Sequence, residues 1–525
     1  GTSGTSGASG ASFVSAAGSA WAQGGLAAAM LLAAGGARVD VYERLGRVGG
    51  RTATVSAEGY SFDLGPTFFL YPRVLREIFA MVGRDLDDEV EMVRLDPQYR
   101  VQFEGGPSID ATADPARMRE EIAKINPEDA RGFDRFMAEN RSKLAGFRPI
   151  LERPFEGWVD LLKPDVLKLL PSMRPWNSLD DELKRYFVDP RTRLAFSFQA
   201  KYLGMSPFRC PSIFSILSHL EYEHGVWHPI GGCGAVSRAM ARVAEELGVS
   251  IHLDAPVDEV LFEGKRAVGL RTRGRTVRAD AVVMNGDFAA TVPQLVPNTV
   301  RRTWSDQRIE RSRYSCSTFM LYLGIEGRYD DLPHHTIYVP ETYERNLDEI
   351  ENQHVVSTNP SVYVQNACVT DPGLAREGHS TLYVLVPTTH LHDDAIDWED
   401  QKARYREQVL DQVERMGFVG IRERVRYEKV LTPTDWQDQY SVHKGAVFNL
   451  THDLGQMLHR RPHNRFDDTE GVYLVGGGTH PGSGLPVIYE SARISSRLLC
   501  DDVGLRPNWQ PAESASPRPK LVDVA

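Results

Sequence analysis

Val41-Tyr-Glu-Arg-Leu-Gly-Arg-Val-Gly-Gly-Arg51, followed by Gly59-Tyr-Ser-Phe-Asp-Leu-Gly-Pro-Thr67, decides the reading of this chain. A short apolar strand ends on the carboxylate of Glu43, and the pair Gly49-Gly50 then leads to the guanidinium of Arg51. That order suits a dinucleotide, because a carboxylate grips a ribose hydroxyl while bare backbone and a guanidinium sit against a pyrophosphate. Upstream, residues 24–34 read as an apolar Ala/Leu helix whose first turn, at Gly24 and Gly25, faces the same phosphates. Strand, Gly-Gly turn, helix and second strand make a βαβ unit over 13–42. A nucleotide-cofactor enzyme using FAD is the leading expectation.

The glycine fingerprint itself is damaged. If Gly25 closes a GxGxxG motif, Ala20 and Ala22 occupy its first two glycine positions, with Trp21 between them. A β-carbon there crowds the tight turn and the approach to pyrophosphate. Glu43 compensates as a signal, since it lies 43 − 25 = 18 residues after Gly25, near the usual spacing of about 20.

Bulk properties narrow the class. At 525 residues the chain exceeds one ordinary core, so two or three structural units are expected. A net charge of −11 argues against nucleic acid as a partner. Cys210, Cys233, Cys316, Cys368 and Cys500 show no CxxC spacing and read as free core thiols of a reducing compartment. The apolar run 26–34 is shorter than the ~20 residues of a membrane span, and no Lys or Arg precedes Arg38 to make a signal-peptide n-region. A cytoplasmic protein, peripheral on the inner face of the cell membrane, is expected.

The expected organisation is a doubly wound, Rossmann-like α/β FAD-binding domain built from 13–80, 225–300 and 465–505. A mixed-sheet substrate domain (81–130 and 301–464) and a helical insertion (131–224) interrupt it, with tails at 1–12 and 506–525. A three-stranded meander is expected over 257–277, and buried strands at 281–284 and 471–475. Between 141 and 185 nine Lys and Arg face seven Asp and Glu, among Trp158, Leu162, Leu167, Leu169, Leu170 and Trp176. That mixture reads either as an interfacial helix lying on a membrane through about 150–180 or as an ordinary lid helix.

Five segments carry a family resemblance. They are Gly49–Arg51 with Phe62–Thr67, Phe196–Gly204 with Ser206-Pro207, Gly225–Trp227 with Gly231-Gly232, Val369–Pro372 with Tyr383–Pro387, and Leu474–Pro486. In this order the chain resembles the bacterial carotenoid desaturases of the phytoene and dehydrosqualene type, within the amine-oxidase-like flavoproteins. The resemblance implies FAD as cofactor, a long polyene or isoprenoid lipid as substrate, a membrane surface, and oxygen or a quinone as electron acceptor. It places Glu43 on the adenosine ribose, Gly24, Gly25, Gly50 and Arg51 at the pyrophosphate, and Val257 at the adenine. Gly65, Pro66, Thr67, Gly476, Gly477, Leu485, Pro486 and Val487 fall around the ribityl chain and flavin, with the last helix aiming its N-terminus at the ring.

No catalytic side chain announces itself, which suits a hydrocarbon substrate. His480, beside the expected flavin site, is the one weak candidate, and it reads equally as a shell residue. His334-His335 and His390-x-His392 read as solvated loops without a third metal ligand, and the spacing of His219, His224 and His228 suits no common metal site. Phe196, Phe198, Tyr202, Phe208 and Phe214 read as channel or as core, and Asp63 as the residue holding the Gly65-Pro66 turn. Competing readings are a carotenoid oxygenase, isomerase or saturase of the same fold, an amine oxidase, and a flavin-free pigment-binding subunit favoured by the loop at Ala20 and Ala22.

Overall fold

The computed structural model describes residues 12–16, 23–392 and 396–509. Ala20, Trp21 and Ala22 therefore lie outside the described residues. Five parallel strands form the first sheet, in the order Ser250–His252, Arg38–Tyr42, Ser12–Ala16, Ala281–Met284 and Val472–Leu474. Strands gathered from the start, middle and end of the chain thus share one ladder. The described chain extends past the expected bounds of 13 and 505: Ser12 is in the first strand, and Trp509 Nε1 donates to Leu31 O at 2.8 Å.

Strand alternation divides the sheet into two dry faces. Val39, Val41, Ala281, Val283 and Tyr473 point to a layer of helices, Gln23–Ala34, Cys233–Glu246 and Leu485–Val503. Tyr42, Val282, Met284, Val472 and Leu474 point the other way, onto the antiparallel meander Val257–Glu263, Arg266–Thr272 and Arg275–Arg278. The first helix is apolar all round and buried from Gln23 to Leu32, as a helix enclosed by neighbours must be. All five cysteines are free and buried.

The second sheet has seven strands, in the order Val425–Leu431, Ser317–Glu326, His379–Thr388, Val362–Gln365, His335–Val339, Tyr99–Phe103 and Ser108–Ala111. Its pairings are antiparallel except between His335–Val339 and Tyr99–Phe103, which run parallel. Helices Asp129–Leu151, Pro164–Met173 and Ser215–His224 belong to the helical region, the first sharing a core cluster with this sheet through Phe133, Phe136, Tyr99 and Val101. Among the described residues no helix is long and apolar enough to cross a membrane.

An ionic knot fixes the helical region. The Glu182 carboxylate is fully buried and takes Lys143 Nζ at 2.7 Å, Arg174 Nη1 at 2.9 Å and Arg185 Nη1 at 2.7 Å. Burial alone would raise its carboxyl, but the three cations hold it below the usual carboxylate range. Glu182→Gln strands Lys143 in the interior and is expected to cost about 3–5 kcal/mol in urea unfolding. A cost under about 1 kcal/mol would mean the knot contributes only what an exposed ion pair does.

Candidate active site

The carboxyl edge of the parallel sheet is where an open α/β sheet offers a crevice, and the residues named above gather there. Gly24 and Gly25 open the first helix, with the Gly25 amide donating to Asn285 Oδ1 at 3.0 Å and Asn285 Nδ2 donating to Val475 O at 2.9 Å. A β-carbon on Gly24 would lie 2.5 Å from Ile488 Cγ2, so glycine lets the first and last helices touch. Glu43 follows the strand Arg38–Tyr42, is fully buried, and accepts the Leu45 amide at 2.7 Å. Its own amide donates to His252 O, and Ala255 N returns to its carbonyl, which locks it between two strand ends. Val257 is buried at the start of the meander. Gly49, at φ 99°, precedes the turn Gly50–Thr52, and a β-carbon on it would sit 2.9 Å from Ser237 Oγ.

Beyond this edge opens a cavity of about 400 Å³. Arg51, Gly65, Pro66 and Thr67 line it, as do Gly477, His480, Leu485, Pro486 and Val487. From there it runs into an apolar gallery between Phe68, Leu144, Phe147, Tyr202, Leu217 and Leu220. Gly24, Gly25, Glu43, Gly50, Val257 and Gly476 are not in this wall. Phe198, Tyr202 and Phe214 are channel residues, whereas Phe196 is fully buried core and Phe208 packs at the edge of the same cluster.

Polar groups hold the wall in shape. Tyr383 Oη donates to Gly65 O at 2.7 Å, and Arg51 Nη1 donates to Val447 O at 2.8 Å. The buried Asp287 accepts Asn449 Nδ2 at 2.7 Å; burial raises its carboxyl, against the opposing pull of Arg51. Arg461, also buried, donates to Gly477 O at 2.7 Å, and burial brings its guanidinium down to about 9. His452 Nε2 accepts the Ser483 amide at 2.9 Å. Sequence reasoning missed Asp287, Asn449, His452 and Arg461, because they are single polar residues in unpatterned loops that meet only in the fold.

Several expectations change here. His334 and His335 are not in a solvated loop but buried, His335 opening the strand His335–Val339. Asp63 does not hold its own turn; it accepts the Gly234 amide at 3.3 Å and anchors the helix Cys233–Glu246, with burial raising its carboxyl to about 6. His390 and His392 do gain a third histidine, His354, whose ring stacks 3.6 Å from that of His392. Even so, among the described residues no group of three His, Cys, Asp or Glu is placed to hold a metal ion. His228 lies apart from His219 and His224, 3.2 Å from Asp371 Oδ2.

Comparison with known proteins adds a family to this geometry. The profile described as flavin containing amine oxidoreductase matches residues 24–500. The chain is 41% identical to a 4,4'-diapophytoene desaturase (4,4'-diapolycopene-forming) of Methylomonas sp, over 91% of this chain and 93% of that one. It is 40% identical to an all-trans-zeta-carotene desaturase of Myxococcus xanthus, over 94% and 96%. An oxidoreductase from Methanosarcina mazei of known structure superposes with a TM-score of 0.59 at 19% identity, over 93% of this chain and 100% of that one, and shares the fold.

His480 lines the cavity, yet its Nε2 lies 3.0 Å from the Arg153 carbonyl, and burial brings its ring down to about 4. His480→Ala is expected to lower stability by about 1–3 kcal/mol and to change kcat less than tenfold. With a folded value near 4 and an unfolded one near ~6.5, the unfolded chain binds more protons between them, so stability rises with pH there. His480→Gln should make that slope shallower. A kcat loss above about 10²-fold with stability intact would instead assign the ring to the chemistry.

Proposed function

The chain belongs to the flavin containing amine oxidoreductase family and is an oxidoreductase that uses FAD to desaturate a carotenoid precursor; we propose that its substrate is a linear polyene of the phytoene or dehydrosqualene type, drawn from a membrane surface. The observation that carries this reading is one cavity in which a nucleotide-edge wall continues into an apolar gallery. A hydrocarbon offers nothing to hydrogen-bond, so shape and dry surface must align it.

The residues present fit FAD. A buried carboxylate stands at the end of the second strand, where a ribose hydroxyl is gripped. Gly65 gives close backbone approach, since a β-carbon there would lie 2.6 Å from Arg51 O. The helix Leu485–Val503 directs its first residues at the cavity, with Leu485, Pro486 and Val487 in the wall. On this reading Glu43 and Val257 hold the adenosine, and Gly24, Gly25, Gly50 and Arg51 flank the pyrophosphate. Gly65–Thr67, Gly476, Gly477 and the last helix would frame the flavin, the helix N-terminus favouring negative charge beside it. FAD, when bound, supplies a two-electron oxidant for an allylic C–H. A membrane quinone or oxygen receives those electrons.

Membrane contact rests on an exposed apolar patch. Trp158 (65% exposed), Val159, Leu162, Leu167, Leu170 and Trp176 (68%) all face outward within 158–176. Beneath them Val166, Leu169 and Met173 pack on Phe147 and Ile150 of the helix Asp129–Leu151, whose Leu144, Phe147 and Leu151 line the gallery. One helix thus joins patch to cavity, a path along which a lipid-dissolved polyene stays dry.

Purified protein is expected to release FAD on denaturation and to convert phytoene or dehydrosqualene into more unsaturated products; flavin-free protein, or isomers or oxygenated products alone, would overturn the reading. Glu43→Ala should weaken FAD binding by about 1.5–3 kcal/mol, roughly 10- to 150-fold. Trp158→Asp combined with Leu162→Asp and Leu167→Asp should abolish liposome co-sedimentation while detergent-dispersed substrate is still turned over. Unchanged sedimentation would remove the patch from the account.

A further inference from the structure

Desaturation removes a hydride and a proton, and the flavin accounts only for the hydride. The proton must find an acceptor inside a wall that is mostly hydrocarbon. Among the groups lining the gallery, Thr67 and Tyr363 belong to a buried polar string. Thr67 Oγ1 lies 2.7 Å from Tyr363 Oη, and Tyr363 Oη lies 2.8 Å from His335 Nδ1. Thr67 and Tyr363 both line the cavity, on the side of the flavin wall formed by Gly65 and Pro66.

His335 is fully buried and stacked face to face on Phe68, centroids 4.2 Å apart, so its ring is held in register with the cavity wall. Its other nitrogen, Nε2, is buried without a hydrogen-bond partner among the described residues. The ring centroids of His335 and His334 lie 4.3 Å apart and those of His334 and His228 4.7 Å apart, but His334 Nδ1 meets Thr370 Oγ1 at 2.8 Å and its Nε2 meets Gln365 Nε2 at 3.2 Å, so the hydrogen-bonded string ends at His335. Nothing in the packing of a hydrocarbon channel calls for three buried imidazoles in a row, and burying polar groups without full hydrogen bonding is costly.

We propose that Tyr363 is a catalytic residue that takes the substrate proton, with His335 as the base behind it. This rests on the desaturase reading given above. Once hydride has left, the carbon chain carries allylic cationic character, and a C–H bond next to it is strongly acidic. That C–H bond breaks, its electron pair becomes the new π bond, and its proton bonds to Tyr363 Oη. In the same motion the phenolic proton passes to His335 Nδ1, which leaves His335 as an imidazolium and Tyr363 again a phenol. No oxidant beyond that of the family reaction is needed. Burial keeps Tyr363 a phenol and His335 a neutral imidazole at rest, the states this transfer starts from.

Tyr363→Phe removes the oxygen and leaves the ring. Three quantities are measured on holoenzyme: FAD content, Kd for the polyene from the shift it causes in the flavin's visible band, and kcat in H2O and D2O. Unchanged FAD content, a Kd within twofold of wild type and a kcat about 10²-fold lower are expected, with the solvent isotope effect of the wild type lost. His335→Gln should also lower kcat at unchanged Kd, although it leaves the phenol in place. A Tyr363→Phe enzyme with wild-type kcat and isotope effect overturns the proposal, as does a Kd that weakens in step with kcat. Wild-type holoenzyme that converts no polyene sinks the desaturase reading, and this inference with it.

Discussion

Contact between the first and last helices governs this molecule. Gln23, fully buried, donates through Nε2 to Cys233 O at 2.9 Å and to Ser237 Oγ at 3.1 Å, and its Oε1 accepts the hydroxyl of Tyr489. One side chain therefore ties together three helices that begin 23, 233 and 485 residues along the chain. Gly24 follows it and permits the close pass of Ile488. Without that approach the nucleotide edge and the wall formed by Leu485, Pro486 and Val487 would not meet, and the cavity would have no continuous floor. Buried hydrogen bonds of this kind specify one arrangement more than they add net stability.

The second constraint is the division of polar and apolar surface. At the flavin wall, each polar contact made by Tyr383, Arg51, Arg461 and His452 ends on backbone. They shape loops and leave the gallery dry. Polar groups that face the gallery therefore stand out, and Thr67 with Tyr363 is the pair whose hydrogen bonds reach a buried imidazole, that of His335.

Much of the fold was legible because period and composition are local signals. The strand that closes the βαβ unit ends at Tyr42, the strand 281–284 appears at its expected position, and the meander begins at Val257 as expected. The glycine-rich stretches were readable because glycine marks close approach, as Gly24, Gly49 and Gly65 bear out. The histidines were misread because sequence neighbours say nothing about burial. His334 and His335 looked solvated, yet the seven-stranded sheet draws them against Phe68 and His228, more than a hundred residues away. Asp63 was assigned to its own turn because the helix it anchors begins at Cys233. Tyr363 carried no motif at all; only the antiparallel pairing of Val362–Gln365 with His335–Val339 brings its hydroxyl to His335.

The central claim is that one continuous cavity presents a polyene directly to FAD. Anaerobic mixing of the purified holoenzyme with phytoene or dehydrosqualene in liposomes, followed by stopped-flow absorbance, tests it most directly. The account predicts that the oxidised-flavin band bleaches in step with the rise of a longer-wavelength polyene band, one double bond per flavin. Bleaching by small amines but not by polyene, or polyene conversion with the flavin band unchanged, would contradict it.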